Sequence, residues 1–220
     1  ISKMGIIKRS KLSEFNITRI NKPSSCMKLK DNDLVVAVSD DNGDDIFVET
    51  KQGYGLWFAK EEVPIVGVKA GGVKAINLKD DEVVSMINFS NSLKEYVAII
   101  TDKGTGKRIR ISDFEKTSRA RRGLMTIRDV KTNPYHIIKA FIVDNKDQLG
   151  LKNGEIITIK STELPISDRY STGSSIVKSN LTDAFMVKSL VKKEEVTPLK
   201  EQVSLSDIDQ RLMTIDDFLK

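Results

Sequence analysis

One cysteine (Cys26), one histidine (His136) and one tryptophan (Trp57) are all that this 220-residue chain holds of three residue types common at catalytic and metal sites. A lone thiol closes no internal disulfide. With a single imidazole it builds neither a Cys-His pair nor a clustered zinc site. Such cysteine usage suits a reducing cytosol, and Cys26 is expected to be a small buried apolar residue. No apolar run approaches the roughly 18 residues of a membrane-spanning helix; the stretch Leu34 to Val38 is strand-sized. Gly104-Thr105-Gly106-Lys107 fails as a phosphate-binding loop, because Arg108 stands where Ser or Thr is required, and reads as a hairpin turn. The acidic pairs Asp80-Asp81 and Asp216-Asp217 fall in turns and read as solvated carboxylates. The first residue is Ile1 rather than Met, so a piece of a longer polypeptide is expected.

Charge is balanced in number and uneven in place. Lys and Arg total 36 against 31 Asp and Glu, for a net charge of +5, a weak argument for a polyanionic partner. Residues 191–220 hold five basic and seven acidic side chains, so the rest of the chain carries the basic surplus.

What the chain has in abundance is repetition. Met27-Lys28-Leu29-Lys30 before Asp31 returns as Ile76-Asn77-Leu78-Lys79 before Asp80, as Met125-Thr126-Ile127-Arg128 before Asp129, and in worn form as Ser175-Ile176-Val177-Lys178. Leu29, Leu78, Ile127 and Val177 lie 49, 49 and 50 residues apart, a propeller-like period, and each precedes a basic residue. A second phrase keeps the same beat, ending at Phe15, Val63, Phe114, Leu164 and Phe218 with spacings of 48, 51, 50 and 54. About four units and an incomplete fifth are expected.

Within a unit the apolar segments are short and rich in branched side chains, among them Ile46-Phe47-Val48, Val97 to Ile100, Ile137 to Val143 and Ile156 to Ile159. Turn formers separate them. Each unit reads as about four strands, with no long helix, and a sheet of some fifty residues must stack on neighbours to cover both faces. Strand alternation would point Met27 and Leu29 into the stack and Lys28, Lys30, Lys79 and Arg128 away from it. The predicted class is all-β, a propeller-like disc over residues 1–190 with blades near 1–43, 44–93, 94–146 and 147–190. Residues 191–220 would form a linker followed by a C-terminal strand through Leu212 to Ile215, or a short amphipathic helix through Ile208, Leu212, Ile215 and Leu219.

These phrases, Gly71 through Val84 above all, resemble the C-terminal domain shared by the A subunits of bacterial type IIA topoisomerases, on the topoisomerase IV side of that family. The resemblance covers residues 1–190. It implies a β-pinwheel, a propeller variant whose blades exchange a strand with a neighbour and whose basic rim binds and bends duplex DNA. It also implies a fragment without catalytic residues or cofactor of its own, ATP and Mg being used by other domains of the full enzyme. The implied partners are double-stranded DNA, the rest of the A subunit, and the B subunit with which it forms an A2B2 heterotetramer, the fragment itself being monomeric. A cytoplasmic, nucleoid-associated location follows, with peripheral membrane association of the full enzyme. The gyrase heptapeptide QRRGGKG, needed for tight DNA wrapping, has no full copy here, the nearest loop being Arg119-Ala120-Arg121-Arg122-Gly123-Leu124. Family domains carry five or six blades, so an N-terminal part is expected to be missing and the ring to be open.

The candidate DNA contacts are Lys30, Lys79, Arg128 and Lys178 after the repeated phrase, and Lys22, Lys69, Lys74, Arg119, Arg121, Arg122 and Arg169 in the loops before it. Arg108 and Arg110 would extend the rim. Three guanidinium groups within four residues repel one another without an anionic partner, which singles out Arg119, Arg121 and Arg122. Gly71, Gly72, Gly123 and Gly173 would let backbone amides approach phosphate closely. Trp57, Tyr54 and Tyr170 read as packing between blades rather than as stacking platforms for bases. Rim cations against phosphate carry no base information, so non-sequence-specific binding is expected. Two other readings stay open: a protein-binding β-propeller scaffold, and a gyrase-type DNA-wrapping domain.

Overall fold

The computed structural model describes residues 1–16, 21, 23–40, 43–91 and 95–187. Thirteen strands run in chain order: β1 (Ile6–Ile7), β2 (Asp45–Thr50), β3 (Tyr54–Ala59), β4 (Val73–Lys74), β5 (Val83–Phe89), β6 (Tyr96–Thr101), β7 (Thr105–Arg110), β8 (Leu124–Met125), β9 (Ile137–Val143), β10 (Gln148–Lys152), β11 (Ile156–Lys160), β12 (Ser174–Ser175) and β13 (Asp183–Val187). The only helical elements among the described residues are four short 3-10 turns, Leu12–Phe15, Lys60–Glu62, Ile111–Asp113 and Ser161–Glu163. These turns are the first four copies of the acidic-apolar phrase. The fifth copy, the tail readings and Lys22 lie outside the described residues.

The sheets share one plan. β2 and β3 form an antiparallel hairpin, β5 adds to the β2 side, and the outer edge of β3 receives β8 from the next unit. The following sheet repeats the order as β9, β6, β7 and β12, and the third comprises β11, β10 and β13. In the first unit β1 pairs with β4, again lent from the unit that follows. Each blade therefore donates the segment between its second and last strands to its predecessor, the strand exchange of a β-pinwheel. The order is nearly all-β and antiparallel, as expected.

Burial explains why the sheets stack. In β2 the side chains of Ile46 and Val48 join one core with Ile7, Leu56, Phe58 and Ile76, while Phe47 between them joins a second with Trp57, Val97, Ile99 and Ile109. β6 repeats this, with Val97 and Ile99 in that second core and Ala98 and Ile100 in a third with Leu149, Leu151 and Leu164. Both faces of a central strand are thus apolar, and a period of two serves two neighbours at once. The Phe47 and Phe114 rings meet edge to face at 5.0 Å. Equivalent backbone bonds tie the blades: Val83 to Lys3, Ile137 to Lys51 and Leu181 to Asp102, each amide donating to the preceding unit's carbonyl.

Three details differ from expectation. Only Met125 and Ser175 of the repeated basic phrases lie in strands, yet Lys30, Lys79, Arg128 and Lys178 are exposed while Leu29, Leu78 and Val177 are half-buried and Ile127 is buried. Cys26 is exposed rather than buried. Ile76, not Leu78, takes the place of Ile127, because the Ala75 amide donates to Gly5 as Thr126 does to Gly53 and Ile176 to Gly104. The second unit simply carries two extra residues between Gly72 and Lys79.

Candidate nucleic-acid interface

The basic loops are set side by side by one recurring backbone contact. The amide of Lys28 donates to the carbonyl of Ala70 at 3.2 Å, that of Asn77 to Arg121 at 2.8 Å, and that of Arg128 to Ser171 at 3.4 Å. Ala70, Arg121 and Ser171 occupy equivalent places, two residues before Gly72, Gly123 and Gly173. Each unit's basic phrase therefore leans on the loop of the next. The loops that carry Lys30, then Lys69, Lys74 and Lys79, then Arg119, Arg121, Arg122 and Arg128, then Arg169 and Lys178 thus adjoin one another from unit to unit.

The side chains of these loops differ in what they hold. Lys30, Lys69, Lys74, Lys79, Arg121, Arg128 and Lys178 are exposed. Arg119 is half-buried and committed to the fold: its Nε donates to the Glu62 carbonyl, its Nη1 to the Lys74 carbonyl, and its backbone amide to the Glu62 carboxylate, at 2.9 to 3.0 Å. The Arg122 guanidinium lies 3.7 Å from the Tyr54 ring centroid and donates to the Asn77 carbonyl. Arg169 reaches the Met125 carbonyl at 3.5 Å and flanks the Tyr170 ring. In the dense cluster the guanidinium groups of Arg119 and Arg122 are thus engaged by three backbone carbonyls and an aromatic face, which leaves Arg121 the outward member.

Arg108 and Arg110 do not join this row. Arg108 is 6% exposed, donates to the Leu164 carbonyl at 2.9 Å and to Asn145 Oδ1 at 2.7 Å, and stacks on Tyr96 at 4.7 Å. Arg110 is exposed, but at the end of β7 in register with Tyr96, opposite the end where β12 pairs. Both were expected to extend the rim, but β7 is covered by blades on both sides from Gly106 to Ile109, and Arg110 alone is exposed at its end.

A buried lysine went unrecognised in the sequence. Lys107 is 1% exposed and its Nζ donates to the carbonyls of Asp168, Arg169 and Ser171 at 2.8 to 3.0 Å. Burial pulls its pKa down to about 8, against the nearby Asp168 and Glu49 carboxylates. Lys8 does the same in the first blade, donating to Gly67 and Val68, while Arg9 holds the Val63 carbonyl as Arg108 holds that of Leu164. The Lys-Arg dipeptide is therefore a clamp on the next blade's basic loop. In the middle blade Leu56 and Trp57 stand in its place, and a cavity of about 380 Å³ lies there, lined in part by Leu56, Trp57, Phe114, Arg121 and Leu124.

The glycines serve packing. Gly72, Gly123 and Gly173 have φ of 105°, 84° and 80°, and a Cβ on them would come within 2.4, 2.5 and 2.8 Å of the Ile7, Gly55 and Gly106 carbonyl oxygens. They let the lent segment enter against its host strand. Tyr170 is 61% exposed, so of the three aromatics Trp57 is core, Tyr54 carries Arg122 and Tyr170 stands outside. His136 Nδ1 lies 3.1 Å from Asp102 Oδ2. No group of three His, Cys, Asp or Glu side chains placed to hold a metal occurs among the described residues, and no helix among them is long and apolar enough to cross a membrane.

Strand exchange between stacked blades, with a basic loop leading into each lent segment, defines a β-pinwheel of the type II topoisomerase A-subunit kind. The family model described as DNA gyrase C-terminal domain, beta-propeller, matches residues 1–39, 44–90 and 95–144, and the chain belongs to this family. The A subunit of DNA topoisomerase 4 from Bacillus subtilis (strain 168) is 37% identical over 179 residues, covering 79% of this chain and 22% of the relative. Its counterpart from Streptococcus pneumoniae serotype 4 (strain ATCC BAA-334 / TIGR4) is 37% identical over 196 residues, covering 80% and 24%. The crystal structure of the C-terminal domain of DNA topoisomerase IV superposes with a TM-score of 0.81 at 34% identity, over 86% of this chain and 60% of that one. The gyrase A C-terminal domain, at 19% identity and a TM-score of 0.72 over 85% of this chain and 64% of that one, shares the fold. The chain thus spans about a quarter of the length of the curated relatives it matches, as the C-terminal domain of a topoisomerase IV A subunit rather than its catalytic core.

Proposed function

We propose that this domain binds duplex DNA along the row of basic loops, without reading its sequence, and bends it. In the full protein it guides DNA segments to the ATP-dependent strand-passing core of a topoisomerase IV used in decatenation and relaxation, assembled as A2B2 with the B subunit in the cytoplasm. ATP and Mg belong to other domains of that enzyme. The observation that carries the reading is the triple recurrence of the Lys28–Ala70, Asn77–Arg121 and Arg128–Ser171 contacts, which sets the basic loops of four units side by side.

A rigid row of cations suits a phosphate lattice because each neutralised phosphate releases condensed counterions, and a curved row favours DNA that bends to follow it. Lys30, Lys79, Arg121, Arg128 and Lys178 supply the charge. Arg119, Arg122, Lys8 and Lys107 hold the loops that carry it.

Duplex binding measured against salt tests this. The log-log slope should be about −0.9 per phosphate contacted, and Arg121→Ala, Arg128→Ala and Lys178→Ala together should flatten it by about three contacts. Fluorescence transfer across an end-labelled duplex should rise on binding. An unchanged slope in the triple variant removes the row from the site, and unchanged transfer removes the bending.

A further inference from the structure

The middle blade differs from its neighbour in what lies against the basic loop it receives. In the blade of β7 that place is filled by Lys107 Nζ, held by the Asp168 and Ser171 carbonyls with the Asp168 carboxylate near it. Counting from the 3-10 turns, Leu56 stands where Lys107 does, and Ser118 and Arg121 stand where Asp168 and Ser171 do. The buried cation and the carboxylate that faces it are both replaced. Ser118 and Arg121 line instead the cavity of about 380 Å³, a size that takes a small organic molecule.

Its lining is divided by polarity. The buried part is apolar, with Leu56, Trp57 and Phe114, while the exposed part carries Leu124, Arg121 and one carboxylate, Glu115. Arg122 also borders the space, but its guanidinium is committed to the Tyr54 ring and the Asn77 carbonyl. Arg121 makes one hydrogen bond, from Nε to the Ser118 hydroxyl at 3.4 Å, and its two terminal nitrogens have no protein partner among the described residues. Two guanidinium groups against one carboxylate repel a cation and leave Arg121 for an anion. We infer that this cavity is a binding site for a small organic anion with a flat apolar body, such as an aryl carboxylate, its ring against Trp57 and Phe114 and its charged group on Arg121. Because Arg121 also belongs to the proposed DNA row, the ligand and duplex DNA would exclude each other there. That consequence rests on the proposed function; the binding itself does not.

Trp57 is the only tryptophan of the chain, so its indole N–H gives one isolated signal in a heteronuclear NMR spectrum. Titrating the full chain with 2-naphthoate should move that signal saturably, with a Kd of about 1 mM or tighter. The neutral 2-naphthamide should bind at least about tenfold more weakly, and so should 2-naphthoate to Arg121→Ala, whose exposed side chain keeps folding out of the comparison. Leu56→Lys, which restores the clamp of the neighbouring blade, should abolish the shift, with far-UV circular dichroism as the check on folding. A shift that never saturates, or that is equal for the neutral amide, overturns the inference, as does full binding to Arg121→Ala. Labelled duplex measured with and without 2-naphthoate separates the two readings: weakened duplex binding supports both, whereas a saturable Trp57 shift with unchanged duplex affinity supports the site and removes Arg121 from the DNA row.

Discussion

The ammonium of Lys107 sits 2.8 Å from the carbonyl oxygen of Ser171, inside the turn of a loop contributed by the next blade. That contact fixes the place of a loop whose own amides and side chains build the basic row, so a charge buried in one blade orients exposed charges of another.

Replacing Lys107 by Met keeps much of the volume and removes every donor. Three carbonyls lose their partner, and unfolding free energy should drop by about 2–4 kcal/mol in chemical denaturation. Hydrogen exchange should quicken across Asp168 to Ser171. The equivalent change at Leu56, to Met, should cost under about 1.5 kcal/mol, because no carbonyl depends on it.

Glu49 is buried, accepts a 2.6 Å bond from the Thr126 hydroxyl, and is pushed by burial up to about 8 from an ordinary value of 4.5. The folded chain therefore keeps a proton that the unfolded chain gives up, and stability should fall as pH rises from about 4.5 to 8, then level off. Glu49→Gln should abolish that slope and raise stability near pH 8 by up to a few kcal/mol. Lys107 acts in the next window with the opposite sign. Its folded pKa of about 8 lies below the ordinary 10.5, so stability rises with pH between them.

Arg108→Ala and Arg121→Ala should separate scaffold from surface. The first removes bonds to Leu164 and Asn145 and a stack on Tyr96, and should lower stability by about 3 kcal/mol while leaving the salt slope of DNA binding unchanged. The second should leave the melting temperature within a degree or two and reduce the slope by about one contact.

Gly123→Ala distinguishes packing from phosphate approach. Its Cβ would meet the Gly55 carbonyl at 2.5 Å with φ at 84°, so about 2 kcal/mol or more of stability should be lost in a DNA-free melt. A variant that melts normally and only binds DNA less well would return this glycine to the interface.

Much of this molecule was legible in advance because repetition is a local property. The basic phrase and the acidic-apolar phrase recur where the loops and the 3-10 turns recur, and branched residues in short runs read as strands. Arg108 and Lys107 were misjudged for one reason. Alternation divides a strand into an inner and an outer face, whereas β7 lies between two neighbours and buries Lys107, Arg108 and Ile109 in succession. Which copy of an apolar residue matched which was also hidden, since two inserted residues shift Leu78 past the place that Ile76 fills.

By itself the order of amino acids determined the period, the strand content and the spacing of the cations, all of which depend on neighbours a few residues away. Only the tertiary structure decided which cations are free for a ligand and which clamp the next blade. A lysine ammonium shows its role through the carbonyls it meets, and those of Asp168 and Ser171 arrive from more than sixty residues along the chain.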